Sequence, residues 1–394
     1  MKIAFVYDAL YPYIHGGAEK RYYELATRLR ERHDVHYLSW RHWGIEPDAS
    51  LDGITLHGVG RPGRFYGEDG KRTVGEALSF TARLLPDMVR EHYDVIDISA
   101  TPYLPVYAAW LATRLTRTPL VVTWHEVWGE YWQSYLAHRP SVAGTARRLE
   151  AGCARLGDAA VSVSPFTARR LAELHPGAPA ARVVSNGISG LQIQATPAAT
   201  DSSDVVFAGR LIDDKQVHLL LESVALLSDR FPDLRACVVG DGPQRGELEA
   251  LAARIGIADR VRFTGRVGEA TLIGHLKASK VLAFPSVREG FGMTVLEAQA
   301  CGAVPVVVAS PHSAAVDLVR DGVDGIVCAS SVASLAAALA SLLADDGLRT
   351  RMRAAAQQAA GARDWDTIAV QMEAIYGEVV ERRSMAGRQV EARP

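Results

Sequence analysis

The chain has 394 residues, more than one ordinary domain core accommodates, so two domains are expected. Its 43 Lys and Arg stand against 45 Asp and Glu, which excludes a general electrostatic case for nucleic-acid binding. The four cysteines, Cys153, Cys237, Cys301 and Cys328, make no C-x-x-C pair and no zinc spacing, and a reducing cytoplasm fits them.

The N-terminus meets Asp8 before the apolar core of a signal peptide is built. The longest weakly polar stretch, Leu335 to Ala344, is about half the length needed to span a bilayer, so a soluble protein is expected. Short apolar runs then alternate with amphipathic stretches. Strands are predicted at Ile3–Tyr7, Val35–Leu38, Thr55–His57, Val95–Ile98, Leu120–Thr123, Ala160–Val163 and Arg182–Val184, with helices at Ala18–Arg32, Val74–Glu91, Leu104–Arg117 and Phe166–Leu174. This alternation implies parallel sheets with crossover helices, a doubly wound α/β fold.

In this first half, His15-Gly16-Gly17 follows the first strand and opens a helix; a plain strand-to-helix turn needs one glycine, not two. His125 stands at the carboxyl end of the strand Leu120–Thr123, where α/β sites lie. Beyond it come Trp128, Tyr131 and Trp132, whose rings could stack on a sugar or apolar ring or pack as one face of a helix.

Residues Leu191 to Ser203 are polar, small and aperiodic, and read as an interdomain linker between a lobe over 1–190 and a second over 204–362. The second lobe repeats the pattern with strands at Val205–Ala208, Ala236–Val239, Val261–Phe263, Val281–Phe284, Val304–Val308 and Gly325–Val327. After its first strand, Gly209-Arg210 and then Lys215 place a glycine turn between cations, a means of holding a diphosphate. Gly240-Asp-Gly242-Pro243 follows another strand, but Pro243 and a late third glycine argue against a dinucleotide fingerprint. A helix over 363–383 carries Ile368, Met372, Ile375, Tyr376 and Val379 at helical spacing, and 384–394 reads as a disordered tail.

The segment from Pro285 to Pro305 is the most informative. A strand ends at Pro285, Glu289 precedes a Gly290-Phe291-Gly292 turn, and a helix begins at Met293-Thr294 with Glu297 one turn inside it. A helix N-terminus after two glycines is an anion site. A phosphate bracketed by two carboxylates makes sense if each carboxylate grips neutral hydroxyls, which is the layout of a nucleotide-sugar.

These glutamates, eight positions apart around Gly-Phe-Gly, closely resemble the signature of the retaining glycosyltransferases of family 4. The likeness extends to Gly209-Arg210-Leu211 with Lys215, to Gly240-x-Gly242-Pro243, to Asn186-Gly187 and to Asp364-Trp-Asp-Thr-Ile368. It implies a GT-B fold: two Rossmann-like lobes, a cleft between them, and a C-terminal helix crossing back to the first lobe. It implies transfer of a hexosyl group from a nucleotide diphosphate sugar, UDP- ahead of GDP-, to an acceptor hydroxyl with retention. Under this resemblance Arg210 and Lys215 bind the diphosphate, Glu289 holds the sugar, Glu297 the ribose, and Gly16, Gly17 and His125 contact the donor from the first lobe. No cofactor and no metal are implied, and the acceptor is a glycan, a glycolipid or a small metabolite. Cytoplasmic localisation follows, with peripheral contact at the inner membrane surface if the acceptor is lipid-linked. Two departures stand out: Gln216 replaces the usual Gly after the Lys, and Pro311-His312 with Asp317 replaces a Gly-Gly and a later Glu. A phosphorylase or epimerase on the same fold, and a non-catalytic nucleotide-sugar binding module, remain open alternatives at this point.

Overall fold

The computed structural model describes residues 1–63, 73–137 and 139–391. It divides into two compact units: Met1–Asn186 joined by the segment from Trp365 onward, and Gly187–Asp364.

The first unit is built on one sheet of eight strands: β1 (Lys2–Val6), β2 (Asp34–Ser39), β3 (Asp48–Leu51), β4 (Ile54–Gly58), β5 (Val95–Ser99), β6 (Leu120–Trp124), β7 (Ala159–Ser162) and β8 (Arg182–Val183). Their spatial order is β3-β4-β2-β1-β5-β6-β7-β8. All pairs are parallel except β3 with β4, an antiparallel edge that the sequence reading did not anticipate. Central strands such as β5 and β6 are buried along their whole length, as parallel strands covered on both faces must be.

The long helix Trp365–Glu391 belongs to this unit. Its Trp365, Ile368, Met372, Ile375, Tyr376 and Val379 are all buried. The Tyr376 hydroxyl donates to Asp97 of β5 at 2.5 Å, and Asp97 accepts two further bonds, from Thr123 at 2.7 Å and Tyr22 at 3.1 Å. Beside it the wholly buried Arg21 donates to Ser185 O at 2.7 Å and Asn186 Oδ1 at 3.0 Å. Three hydroxyl donors satisfy a carboxyl whose burial raises its pKa.

The second unit has a six-stranded parallel sheet: β9 (Ser203–Ala208), β10 (Ala236–Val239), β11 (Val261–Gly265), β12 (Ser279–Phe284), β14 (Val304–Val308) and β16 (Ile326–Cys328). A separate two-residue pair joins β13 (Arg288–Glu289) to β15 (His312–Ser313). The main order is β11-β10-β9-β12-β14-β16. This is the doubly wound order whose direction reverses between β9 and β12, and ligands bind outside the carboxyl ends of strands at such a reversal.

Two boundaries differ from the sequence reading. The linker expected over 191–203 is not one: Gly190–Ala195 is a short helix whose start is capped by Ser189, and Ser203 already lies in β9. The chain instead changes unit at Asn186/Gly187, where a single β-bridge from Ile188 to Asp364 brings the outgoing and returning segments together. The disordered tail expected over 384–394 is helical through Glu391, the helix that starts at Trp365 running on past residue 384. Positions 392–394 lie outside the described residues. No helix among the described residues is long and apolar enough to cross a membrane.

Candidate active site

The loops after β9 and β12 flank the reversal of the second sheet, and they carry the motif residues. After β9 the chain runs Gly209-Arg210-Leu211 into a 3-10 turn, Asp213–Lys215, and then a helix from Val217. Lys215 thus precedes the helix rather than sitting within it. Gln216 joins the two at φ 45° and ψ 43°, the left-handed region, where a Cβ is disfavoured. Its side-chain oxygen accepts from Ser330 Oγ at 3.2 Å.

After β12 the chain is fixed on two sides. Val287 N donates to Asp214 O at 2.9 Å, Ser286 Oγ lies 3.3 Å from the same carbonyl, and Ser310 Oγ donates to Val287 O at 2.5 Å. Glu289 pairs in register with Ser313 across β13 and β15. The segment that departs from the family pattern, around His312, therefore forms the strand that holds Glu289. Neither serine was singled out in the sequence, since the Asp214 and Val287 carbonyls that they reach lie far along the chain.

Gly292 caps the next helix, Met293–Cys301, at φ 103°, and among the described residues that end shows no side-chain cap hydrogen bond. A Cβ at Gly292 would lie 3.2 Å from Ala315 Cβ, a tight contact, and the positive φ is what favours glycine there. Met293 and Thr294 form the first turn and are half-buried; Phe291 and Glu297 are buried. Phe291 is thus a packing residue whose side chain is turned away from solvent.

Lys215 and Glu289 come together directly. Lys215 Nζ donates to Glu289 Oε1, and the side chains are only 18 % and 15 % exposed. The ammonium also lies 5.7 Å from the Phe284 ring centre. Arg210 is exposed.

Gly240 and Gly242 have a packing explanation. A Cβ at Gly240 would sit 1.9 Å from Gly209 O, and one at Gly242 2.4 Å from Leu211 O. The two loops are laced by Gly209 N to Val239 O, Leu211 N to Asp241 O and Gln244 N to Leu211 O, all within 3.1 Å. These glycines let one loop support the other.

In the first unit, His125 follows β6 directly and sits edge-on to Tyr22, ring centres 5.6 Å apart. Its Nε2 is buried with no hydrogen-bond partner among the described residues. Burial, and secondarily the charge of Arg21, push its pKa down to about 3. It is a neutral imidazole at physiological pH. Gly16, exposed, precedes the helix Gly17–Leu29 in an extended conformation, with the buried Glu19 folded back under it.

The aromatic group sorts into two kinds. Trp132 packs against the first unit's core, and its Nε1 donates to Glu150 at 2.7 Å. Trp128 and Tyr131 are half-buried and stand edge to face, 5.3 Å apart. Glu150, wholly buried, also accepts from Gly129 N at 3.0 Å and meets His175 Nε2 at 3.0 Å. It anchors the aromatic segment, a role that nothing in the local sequence signals. Among the described residues, no group of three or more His, Cys, Asp or Glu side chains is placed to hold a metal ion.

The model of the family described as "Glycosyltransferase Family 4" matches residues 15–189, and that of "Glycosyl transferases group 1" matches residues 190–359. The chain belongs to this glycosyltransferase family. It is 32% identical to a D-inositol 3-phosphate glycosyltransferase of Streptomyces coelicolor, over 74% of this chain and 70% of that protein. A protein of the same name from Actinosynnema mirum is 31% identical over 80% of each chain. Among solved structures, sucrose-phosphate synthase from Thermosynechococcus elongatus superposes with a TM-score of 0.81 at 19% identity, over 97% of this chain and 99% of that one. Anabaena HepE in complex with UDP-glucose gives 0.75 at 20% identity, over 96% and 100%. The glycosyltransferase therefore has the GT-B fold.

Proposed function

We propose that this glycosyltransferase moves a hexosyl group from a UDP-sugar to an acceptor hydroxyl with retention at the anomeric carbon, and without a metal ion. The observation that carries the reading is the convergence of Lys215, Glu289 and the uncapped helix start at Gly292 on the two loops flanking the β9/β12 reversal. A cation and a positive helix end suit a leaving diphosphate, whose charge grows in the transition state. Arg210 adds a second cation from the same loop.

Glu297, within the helix, is assigned to the ribose hydroxyls, and Glu289, before the turn, to the sugar. Gly209, Gly290 and Gly292 supply backbone approach to the donor, with Met293 and Thr294 at the helix start. His125, neutral and with a buried nitrogen unpartnered, suits a hydrogen bond to an uncharged sugar hydroxyl. Gly16 and Gly17 are assigned to the donor's sugar and diphosphate, and Trp128 and Tyr131 to the acceptor. In this reading no side chain acts as nucleophile; the departing phosphate assists deprotonation of the acceptor on the same face.

The names of the related proteins make inositol 3-phosphate the first acceptor to try. The test is a matrix of UDP-, GDP- and ADP-sugars against a set of hydroxyl acceptors. Proton NMR then reads the anomeric configuration of the product. Retention with a UDP-sugar supports the reading. Inversion, or turnover that needs a divalent ion, refutes it in that part.

A further inference from the structure

The two functional groups assigned to different parts of the donor are bonded to each other. Lys215 is carried on the 3-10 turn after β9, and Glu289 on β13, yet the ammonium and the carboxylate meet. The pair is largely shielded from water, so their mutual attraction is stronger than that of a surface pair. Neither group is loosely placed. The turn is closed by Lys215 N to Ile212 O at 3.0 Å, and Glu289 is fixed by its register with Ser313.

We infer that Glu289 competes with the diphosphate for Lys215, and that this competition makes the site prefer the intact donor over the nucleoside diphosphate it releases. The inference rests on the functional reading above and deepens it. A diphosphate that reaches Lys215 must first break its ion pair with the carboxylate and leave that shielded charge without its partner. An intact donor relieves this, because its sugar hydroxyls donate to Glu289 and occupy the carboxylate's lone pairs. The free diphosphate has no sugar and must break the Lys215–Glu289 pair without that compensation. Once transfer has removed the sugar, Glu289 can return to Lys215 and weaken the hold on the leaving nucleotide. Glu289 is thus a specificity-determining residue for donor over product.

The test is calorimetry of UDP and UDP-glucose without acceptor, on the full chain. The GDP/GDP-mannose or ADP/ADP-glucose pair is substituted if the wild type prefers that base. The proteins are wild type, Glu289→Gln, Lys215→Met and the double variant, each checked for folding by circular dichroism. Glu289→Gln should bind the diphosphate about fivefold to twentyfold more tightly and the intact donor no more tightly, the gain expected from freeing Lys215 of its ion pair. In the Lys215→Met background the same change should shift affinity by less than about twofold, since the contested cation is gone. Unchanged or weaker diphosphate binding by Glu289→Gln, or an equal gain without Lys215, overturns the competition while leaving the functional reading intact. If no diphosphate binds the wild type, or Lys215→Met alone binds it normally, the functional reading itself fails.

Discussion

Lys215 and Glu289, 74 residues apart in sequence, share an ion pair at the point where the second sheet reverses direction. It joins the loops after β9 and β12 and puts a cation and a carboxylate where a sugar diphosphate would need both.

The first prediction concerns the cations. Lys215→Ala and Arg210→Ala should each lower kcat by about 10²–10³ with the fold intact, because diphosphate charge builds up in the transition state. Steady-state kinetics with the preferred donor decide this. Near-normal turnover by both variants would place the diphosphate elsewhere.

The second prediction is a stabilising substitution. Gln216 pays for a left-handed backbone that its hydrogen bond to Ser330 only partly offsets. Gln216→Gly should raise the unfolding free energy by about 0.5–1 kcal/mol, since glycine adopts that conformation without a Cβ clash. A denaturant midpoint that falls would mean the Ser330 contact outweighs the backbone strain.

Much of this was legible in the chain. Buried parallel strands announce themselves as Val- and Ile-rich runs, and the glycine turns and Glu289/Glu297 spacing mark the candidate site. The Trp365 helix shows its buried face through Ile368, Met372, Ile375 and Tyr376. What was hidden depends on partners far apart in sequence. Glu150 looks like any helix glutamate until Gly129, Trp132 and His175 close on it. Ser286 and Ser310 look like ordinary loop residues until their carbonyl partners are known. Gly240 and Gly242 look like an ordinary turn after a strand until the Gly209 and Leu211 backbones are seen to leave no room for a Cβ at either. The linker over 191–203 was misread because a six-residue helix with one buried side chain, Ile193, leaves almost no periodic signal.

The third prediction addresses Glu150. Replacing it by Ala leaves the Trp132 Nε1 and Gly129 amide donors without their buried acceptor and should cost about 2–4 kcal/mol. Urea unfolding followed by tryptophan fluorescence measures it. A loss below about 0.5 kcal/mol would show that the aromatic segment is held by other contacts.

The fourth prediction is a pH dependence. His125 has a folded pKa of about 3, below its unfolded value of about 6.5. The unfolded state therefore binds the proton first as pH falls. Any stability owed to keeping this ring neutral is present above about pH 6.5 and is lost towards pH 3, by roughly 1.4 kcal/mol per pH unit at most. NMR of the labelled ring should show no titration between pH 8 and 5. A His125→Asn variant should have a shallower decline of stability below pH 6.5. A ring that titrates near pH 6.5 would refute the assignment of a neutral group.

The central claim is that Lys215 and the helix start at Gly292 serve a nucleotide-sugar diphosphate without a metal ion. It is tested most directly by measuring slow donor hydrolysis across UDP-, GDP- and ADP-sugars in excess EDTA, for wild type and Lys215→Ala side by side. The account predicts that at least one donor, a UDP-sugar first, is turned over by the wild type in EDTA. Lys215→Ala should lower that rate by about 10²–10³. Complete loss of wild-type turnover in EDTA with recovery on adding magnesium or manganese, or equal rates for the two proteins, would contradict it.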